Sequence, residues 1–203
     1  RAVAEGAINA AISFHEKAKA RVASLEASVT AAEADVKARR LEFAEVYAKS
    51  AETNELAFAY LKAAEDWEKA YEQAERWDGA KAFDYRMSQA LALRTHGDHK
   101  GDNLALARSI DLYRAILATV PRDSRRDDWA RIQNNLGTAL RNLGSRESGT
   151  ARLEEAVVAY RAALEERTRE RVPLDWAATQ NNLGAALQAL GTREAGSTRL
   201  EQA

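Results

Sequence analysis

The block Trp129-Ala-Arg-Ile-Gln-Asn-Asn-Leu-Gly-Thr-Ala-Leu returns at Trp176-Ala-Ala-Thr-Gln-Asn-Asn-Leu-Gly-Ala-Ala-Leu, 47 residues further along the chain. About 18 of the 28 positions from Trp129 to Ala156 are identical at that offset, and the Leu-Gly, Arg-Glu and Arg-Leu-Glu elements that follow the block return with it. A period between about 20 and 50 residues marks stacked supersecondary units, each of which buries its apolar face only against its neighbours. The 203 residues are therefore to be counted in units, and length by itself says little about domain number.

Ala, Leu, Glu, Arg and Lys dominate, prolines stand only at Pro121 and Pro173, and β-branched residues come singly. That mixture favours helix throughout, so an all-α protein is expected. The formal charge of -1 with both signs interspersed offers no field to collect a polyanion, and nucleic acid is not an expected partner. Every lysine lies at or before Lys100, with arginine the only cation beyond it, which suggests different histories for the two halves. Cysteine is absent, which excludes disulfides, thiolate metal sites and cysteine nucleophiles and suits a reducing cytoplasm. No apolar run approaches the roughly 20 residues that span a bilayer, and no signal peptide is visible, so no membrane association is expected. The chain opens at Arg1 and stops at Ala203, the counterpart of Ala156 inside a unit, which reads as a fragment of a longer protein.

From about Ala2 to Lys49 one heptad position carries Ile8, Val22, Val29, Val36 and Phe43, and another carries Ala11, Ala18, Leu25, Ala32 and Val46. This predicts a long helix with a coiled-coil-like seam, interrupted by His15 and Arg39, whose partner is either the next helix or a second subunit. A second helix is expected from about Glu52 to Trp77, closed by Asp78-Gly79, with Trp67 and Tyr71 capping the open end of the array. Residues 1–79 are read as this N-terminal part and 80–203 as the repeat array, in units of about 80–125, 126–172 and 173–203. The frame predicts helices at about 80–96, 103–119, 126–143, 150–170 and 174–190, with another from Ser197, and with Gly97, Gly144 and Gly191 in equivalent turns.

At 100° per residue, Trp129, Ile132, Leu136, Ala139, Leu140 and Leu143 share one face of their helix, the expected buried stripe. Gly137 lies beside it, where the lack of a side chain lets another helix approach at a propensity cost near 1 kcal/mol. The opposite face carries Arg131, Asn134, Thr138, Arg141 and Asn142, with Asn135 at its edge. Two successive asparagines in mid-helix, repeated as Asn181 and Asn182, need a reason beyond propensity. Either they hydrogen-bond between adjacent units, or they grip the backbone of an extended peptide, since an amide donates and accepts at once. The second helix of the pair presents Leu153, Ala156, Val157, Tyr160, Ala163 and Leu164 inward and Glu154, Arg161, Glu165 and Glu166 outward.

These residues resemble the tetratricopeptide repeat family. The small residue after Leu in the first helix is Gly137 or Gly184, the Gly ending that helix is Gly144 or Gly191, and Ala156, Tyr160 and Ala163 match the second helix. The Asn-Asn-Leu-Gly version is similar to the long repeats of bacterial signalling proteins and, more distantly, of kinesin light chains. The unit departs from the usual length of about 34 residues, with the excess in Gly144 to Leu153 and Glu165 to Asp175. Gln133 also stands where the family has a bulky residue. The resemblance implies a right-handed α-α superhelix whose first helices line a concave groove that binds a protein or peptide partner. Carried over by position, Asn135 and Asn182 are the groove asparagines, flanked by Arg131, Asn134, Thr138, Arg141, Asn142, Asn181 and Gln188.

Arg146-Glu147 and Arg193-Glu194 recur in the turns and read as turn-stabilising ion pairs. His96, Asp98, His99 and Asp102 are metal-capable but replace an ordinary turn, and no metal or cofactor is expected. Without a phosphate loop, nucleotide fingerprint or catalytic triad, no enzyme activity is expected either. A non-catalytic interaction scaffold is the leading expectation. The alternatives are a sensor or regulatory arm of a larger bacterial signalling protein, and an oligomerisation module acting through the N-terminal helix.

Overall fold

A computed structural model describes residues 2–201, and among them the chain forms seven helices and no strand. These are α1 (Ala2–Leu56), α2 (Tyr60–Ala74), α3 (Gly79–Lys100), α4 (Asn103–Thr119), α5 (Arg126–Gly144), α6 (Ala151–Glu166) and α7 (Pro173–Glu201). Each helix packs against the next along the chain, and α3 and α5 also meet α5 and α7 respectively. This is the arrangement expected of units that bury surface only against neighbours.

Local chemistry sets most of the boundaries. Asp78 and Asp102 cap the N-termini of α3 and α4, their carboxylates accepting from the backbone N–H of Lys81 and Ala105, each at 3.0 Å. Gly101 closes α3 in the left-handed conformation at φ 72°, which glycine adopts without penalty. Pro121 follows α4 and Pro173 opens α7, where its missing N–H costs nothing.

Several boundaries differ from expectation, and α6 stops at Glu166, short of the expected 170. The first helix runs on to Leu56 and ends in a Schellman turn, with Phe58 N–H donating to Glu55 O at 2.9 Å and Ala59 N–H to Asn54 O at 2.8 Å. Phe58 holds the left-handed position at φ 58°, a place glycine usually takes. Asp78 serves two helices, its backbone N–H donating to Ala74 O at the end of α2 at 2.8 Å while its side chain caps the start of α3. Gly97 lies inside α3, and its bare backbone lets Leu106 and the Asp102 carbonyl close in, leaving only 2.6 and 2.8 Å to where a Cβ would stand. Gly191 lies inside an unbroken α7 that runs on through Ser197, where a further helix was expected to start. Its counterpart Gly144 ends α5 against Arg152 and Leu153 of α6, whereas nothing approaches Gly191 within 4 Å. Ala195 also replaces Ser148, which favours helix there.

Two apolar clusters fill the interior. The first joins Ala44, Ala48 and Ala51 of α1 with Ala63, Trp67, Ala70 and Ala74 of α2 and with Ala82, Tyr85 and Leu93 of α3. Trp67 stacks on Tyr85 at 5.7 Å and donates its indole N–H to Glu55 at 2.9 Å. The buried Asp66 accepts from Ser50 at 2.7 Å and Asn54 at 2.9 Å, fixing the register of α1 on α2. The second cluster runs from Met87 through Leu106, Ile110 and Tyr113 to Ile132, Leu136, Leu140, Val157 and Tyr160. The expected stripe of α5 is buried except for Trp129, which is half-buried with the Arg122 guanidinium 4.6 Å over its ring.

The seam of α1 has no partner among the described residues. The helix meets α2 through Leu41, Ala44, Ala48 and Ala51, while Phe43 and Val46, at different angles round the helix, stay 52% and 61% exposed. Every residue with a described side chain from Gly6 to Arg40 is exposed, a free length of about 50 Å at 1.5 Å per residue.

A Cβ on Gly137 would stand 2.8 Å from the fully buried ring of Tyr160, whereas one on Gly184 would meet nothing within 4 Å. Gly137→Ala is expected to destabilise the protein by about 1–2 kcal/mol through overpacking. Gly184→Ala is expected to stabilise it by up to about 1 kcal/mol through helix propensity. Urea midpoints of the two variants check the pair, and shifts of the same sign would refute the close-packing role.

Candidate functional site

The polar side chains of the first helices divide into two groups. Asn134 and Asn182 bridge neighbouring units, the Asn182 amide donating to the Asn134 side-chain oxygen at 3.1 Å. Asn134 in turn donates to Asn135 at 3.4 Å, and its backbone carbonyl accepts from Thr138 at 3.0 Å. Thr138 also accepts from the Tyr160 hydroxyl at 3.1 Å, so this threonine is held by the second helix of its own pair.

The remaining side chains are less engaged. Asn135 is half-buried and shares with Asp84, Met87, Ser88, Leu91 and Arg131 a cleft of about 260 Å³ between α3 and α5. Arg141 and Asn142 are half-buried, and Asn181 and Gln188 are exposed. Arg141 and Gln188 face a second cleft of about 840 Å³ between α5 and α7, floored by Ala185 and Ala189. Arg131 is drawn elsewhere. Its guanidinium reaches Asp128 at 3.0 Å and Asp84 at 4.0 Å and lies 5.4 Å over the ring of Phe83.

Three residues not placed on the polar row from sequence belong to the same neighbourhood. Tyr113 of α4 and Tyr160 of α6 point their hydroxyls toward the polar row, and Arg94 of α3 stands at the position of Arg141 one unit earlier. Tyr113 is fully buried and its hydroxyl has no hydrogen-bond partner. Burial pushes it up to about 12, against the opposing influence of Arg94, Arg131 and Asn135. Burial also raises Tyr160, with Thr138, Arg141 and Arg94 opposing. The equivalence of Arg94 to Arg141 was visible in the 47-residue frame, but Tyr160 read from sequence only as a core position.

Arg146 serves a different purpose from the ion pair with Glu147 expected of it. Arg146 reaches back one unit to the carbonyls of Gly97 at 2.8 Å and Asp98 at 3.1 Å, where α3 ends, and to the Asp98 carboxylate at 3.7 Å. Arg193 reaches the carbonyls of Ser145 and Gly149, each at 3.3 Å, and that of Glu147. A guanidinium has five donors in a fixed fork and suits a ring of orphan helix-end carbonyls better than one neighbouring carboxylate. Elsewhere Arg114 pairs with Glu155, Arg122 with Glu165 at 2.6 Å and Glu166 at 2.7 Å, and Arg171 with Asp127. All these contacts span about one period.

The metal-capable side chains of the α3–α4 turn diverge. His96 faces Asp102 at 3.5 Å, while His99 packs edge-on against Tyr60 at 5.4 Å. Among the described residues no three histidine or acidic side chains come together as a metal would require, and no helix is long and apolar enough to cross a membrane. No family model, curated protein or solved structure matches the chain.

Tyr113 provides a test of this local chemistry. Below pH 10 it is neutral in both folded and unfolded chains. Between pH 10 and about 12 the unfolded chain ionises first, so folding loses about 2–3 kcal/mol over that window. Tyr113→Phe is expected to be neutral or stabilising at pH 7, since it removes an orphan hydroxyl, and to lack this part of the alkaline loss. Urea unfolding at pH 7 and pH 11 measures both, and an equal alkaline loss in the variant would count against the assignment.

Proposed function

We propose that the chain is a non-catalytic interaction scaffold of tetratricopeptide-like architecture, in which α3, α5 and α7 line the concave side of a superhelix and hold an extended segment of a partner protein. The observation that carries this reading is the division of labour among the repeated asparagines. Asn134 and Asn182 bridge units, while Asn135 stands half-buried on the cleft between α3 and α5. An amide in that setting suits a peptide backbone, which presents donors and acceptors alternately. Asn142, Asn181 and Gln188 extend the polar row along the same helices.

A twelve-residue random peptide library displayed on phage and selected on the full chain supplies the probes. Asn135→Ala is expected to weaken the selected peptides about tenfold, the scale of one lost hydrogen bond in a desolvated site, with helix content by circular dichroism unchanged. Unchanged affinity for every selected peptide would remove Asn135 from the binding face.

A second reading, self-association through α1, is favoured by the exposed seam. Its apolar line runs through Val22, Leu25, Val29 and Val36 to Phe43 and Val46 on a face that α2 leaves free, and Lys19, Arg21, Glu26, Glu33 and Asp35 supply both signs of charge along it. The occupant is a second copy of the helix, since such a stripe stabilises a coiled coil only when paired. Light scattering of the full chain is expected to give a dimer mass that falls to a monomer when residues 1–36 are removed, a cut that leaves the Ala44–Ala51 packing intact. A monomer mass for the full chain would rule this reading out.

A further inference from the structure

We propose that Arg94 and Arg141 form a cationic ladder that selects an acidic segment, taking two carboxylate side chains of the bound peptide, one on each unit. This inference rests on the groove reading above and names the chemistry of its ligand.

The two arginines occupy one position of the frame, 47 residues apart, on helices that touch directly. Both are half-buried, and the Nε–H of each is buried without a hydrogen-bond partner. Among the described residues, neither forms an ion pair with a carboxylate. Nor is their setting diluted by distance, because the charge of Arg94 is felt at the hydroxyls of both Tyr113 and Tyr160, and that of Arg141 at Tyr160. The buried Tyr113 hydroxyl lies close to Arg94 and to Asn135.

Lack of acid is not the cause, since the chain has 31 acidic residues against 30 lysines and arginines. Elsewhere Arg114, Arg122 and Arg171 all have carboxylates, and on the first helices Arg131 has Asp128 and Asp84. Carboxylates are thus supplied to the neighbours and withheld from this pair. Two like charges drawn partly out of water without a counter-ion are costly, and an arriving carboxylate gains charge-assisted hydrogen bonds that water no longer provides.

Spacing narrows the ligand further. Packed helices lie about 8–10 Å apart, and an extended chain advances about 3.3 Å per residue. The matching acidic residues therefore stand two or three positions apart. The third position of the frame is Gln188, so the part of the ligand over α7 is uncharged.

The phage selection described above tests this on the full chain. Selected peptides are expected to be rich in Asp or Glu pairs two or three residues apart. Their fluorescein-labelled forms are expected to weaken about tenfold on replacement of the acids by Asn or Gln, on Arg94→Gln or on Arg141→Gln, and to weaken steeply with added salt. Peptides without acidic pairs that respond to Asn135→Ala but to neither arginine variant would overturn the ladder and leave the groove standing. An absence of selected peptides, or peptides indifferent to all three variants, would overturn both. Should a Gln variant lose helix content, Arg94→Lys, Arg141→Lys and the salt series on the unaltered chain decide, and salt-independent binding overturns the proposal.

Discussion

The ring of Tyr160 lies against the bare backbone of Gly137, and the rest of the pair is arranged around that contact. An alanine at 137 would hold the second helix away, and Leu136, Leu140, Ala156 and Val157 would no longer close on one another. The preceding unit solves the same problem differently, with Ala90 and Tyr113 at the equivalent positions, both fully buried. There the small alanine suffices, and the tyrosine hydroxyl is left without the threonine that serves Tyr160. The two units therefore share a packing scheme but differ in how well they satisfy the phenol at its edge.

Helix identity and pairing were legible in the sequence because they follow from periodicity and from glycine, proline and aspartate at turns. Ends set by tertiary contact were not. The Schellman turn at Phe58 carries neither glycine nor asparagine, so nothing in the local sequence marked it. Gly97, Gly144 and Gly191 occupy one position of the frame yet serve as a close-approach site, a helix end and an ordinary helical residue. Which role each takes depends on whether Leu106, Leu153 or nothing stands opposite.

The polar row was legible as a row but not in its parts. Repetition marked both asparagines of each pair equally, and only the spatial arrangement separates the bridging Asn134 and Asn182 from Asn135. Arg131 resembled Arg141 on a helical wheel, yet it sits near the start of α5, within reach of Asp128 and Asp84, whereas Arg141 lies near the end of that helix. Arg146 departs from expectation because sequence adjacency points to Glu147 as its partner. Its side chain instead crosses a full period to reach carbonyls that no local donor serves.

That backward reach gives the array a direction. Arg146 caps the end of α3, and Arg193 caps the turn after α5, so each unit seals the one before it. Loosening α7 uncaps the α5 turn, whereas loosening α3 leaves the donors of Arg193 in place. A helix that settles on α7 would therefore hold the cap on the turn after α5 in place as well.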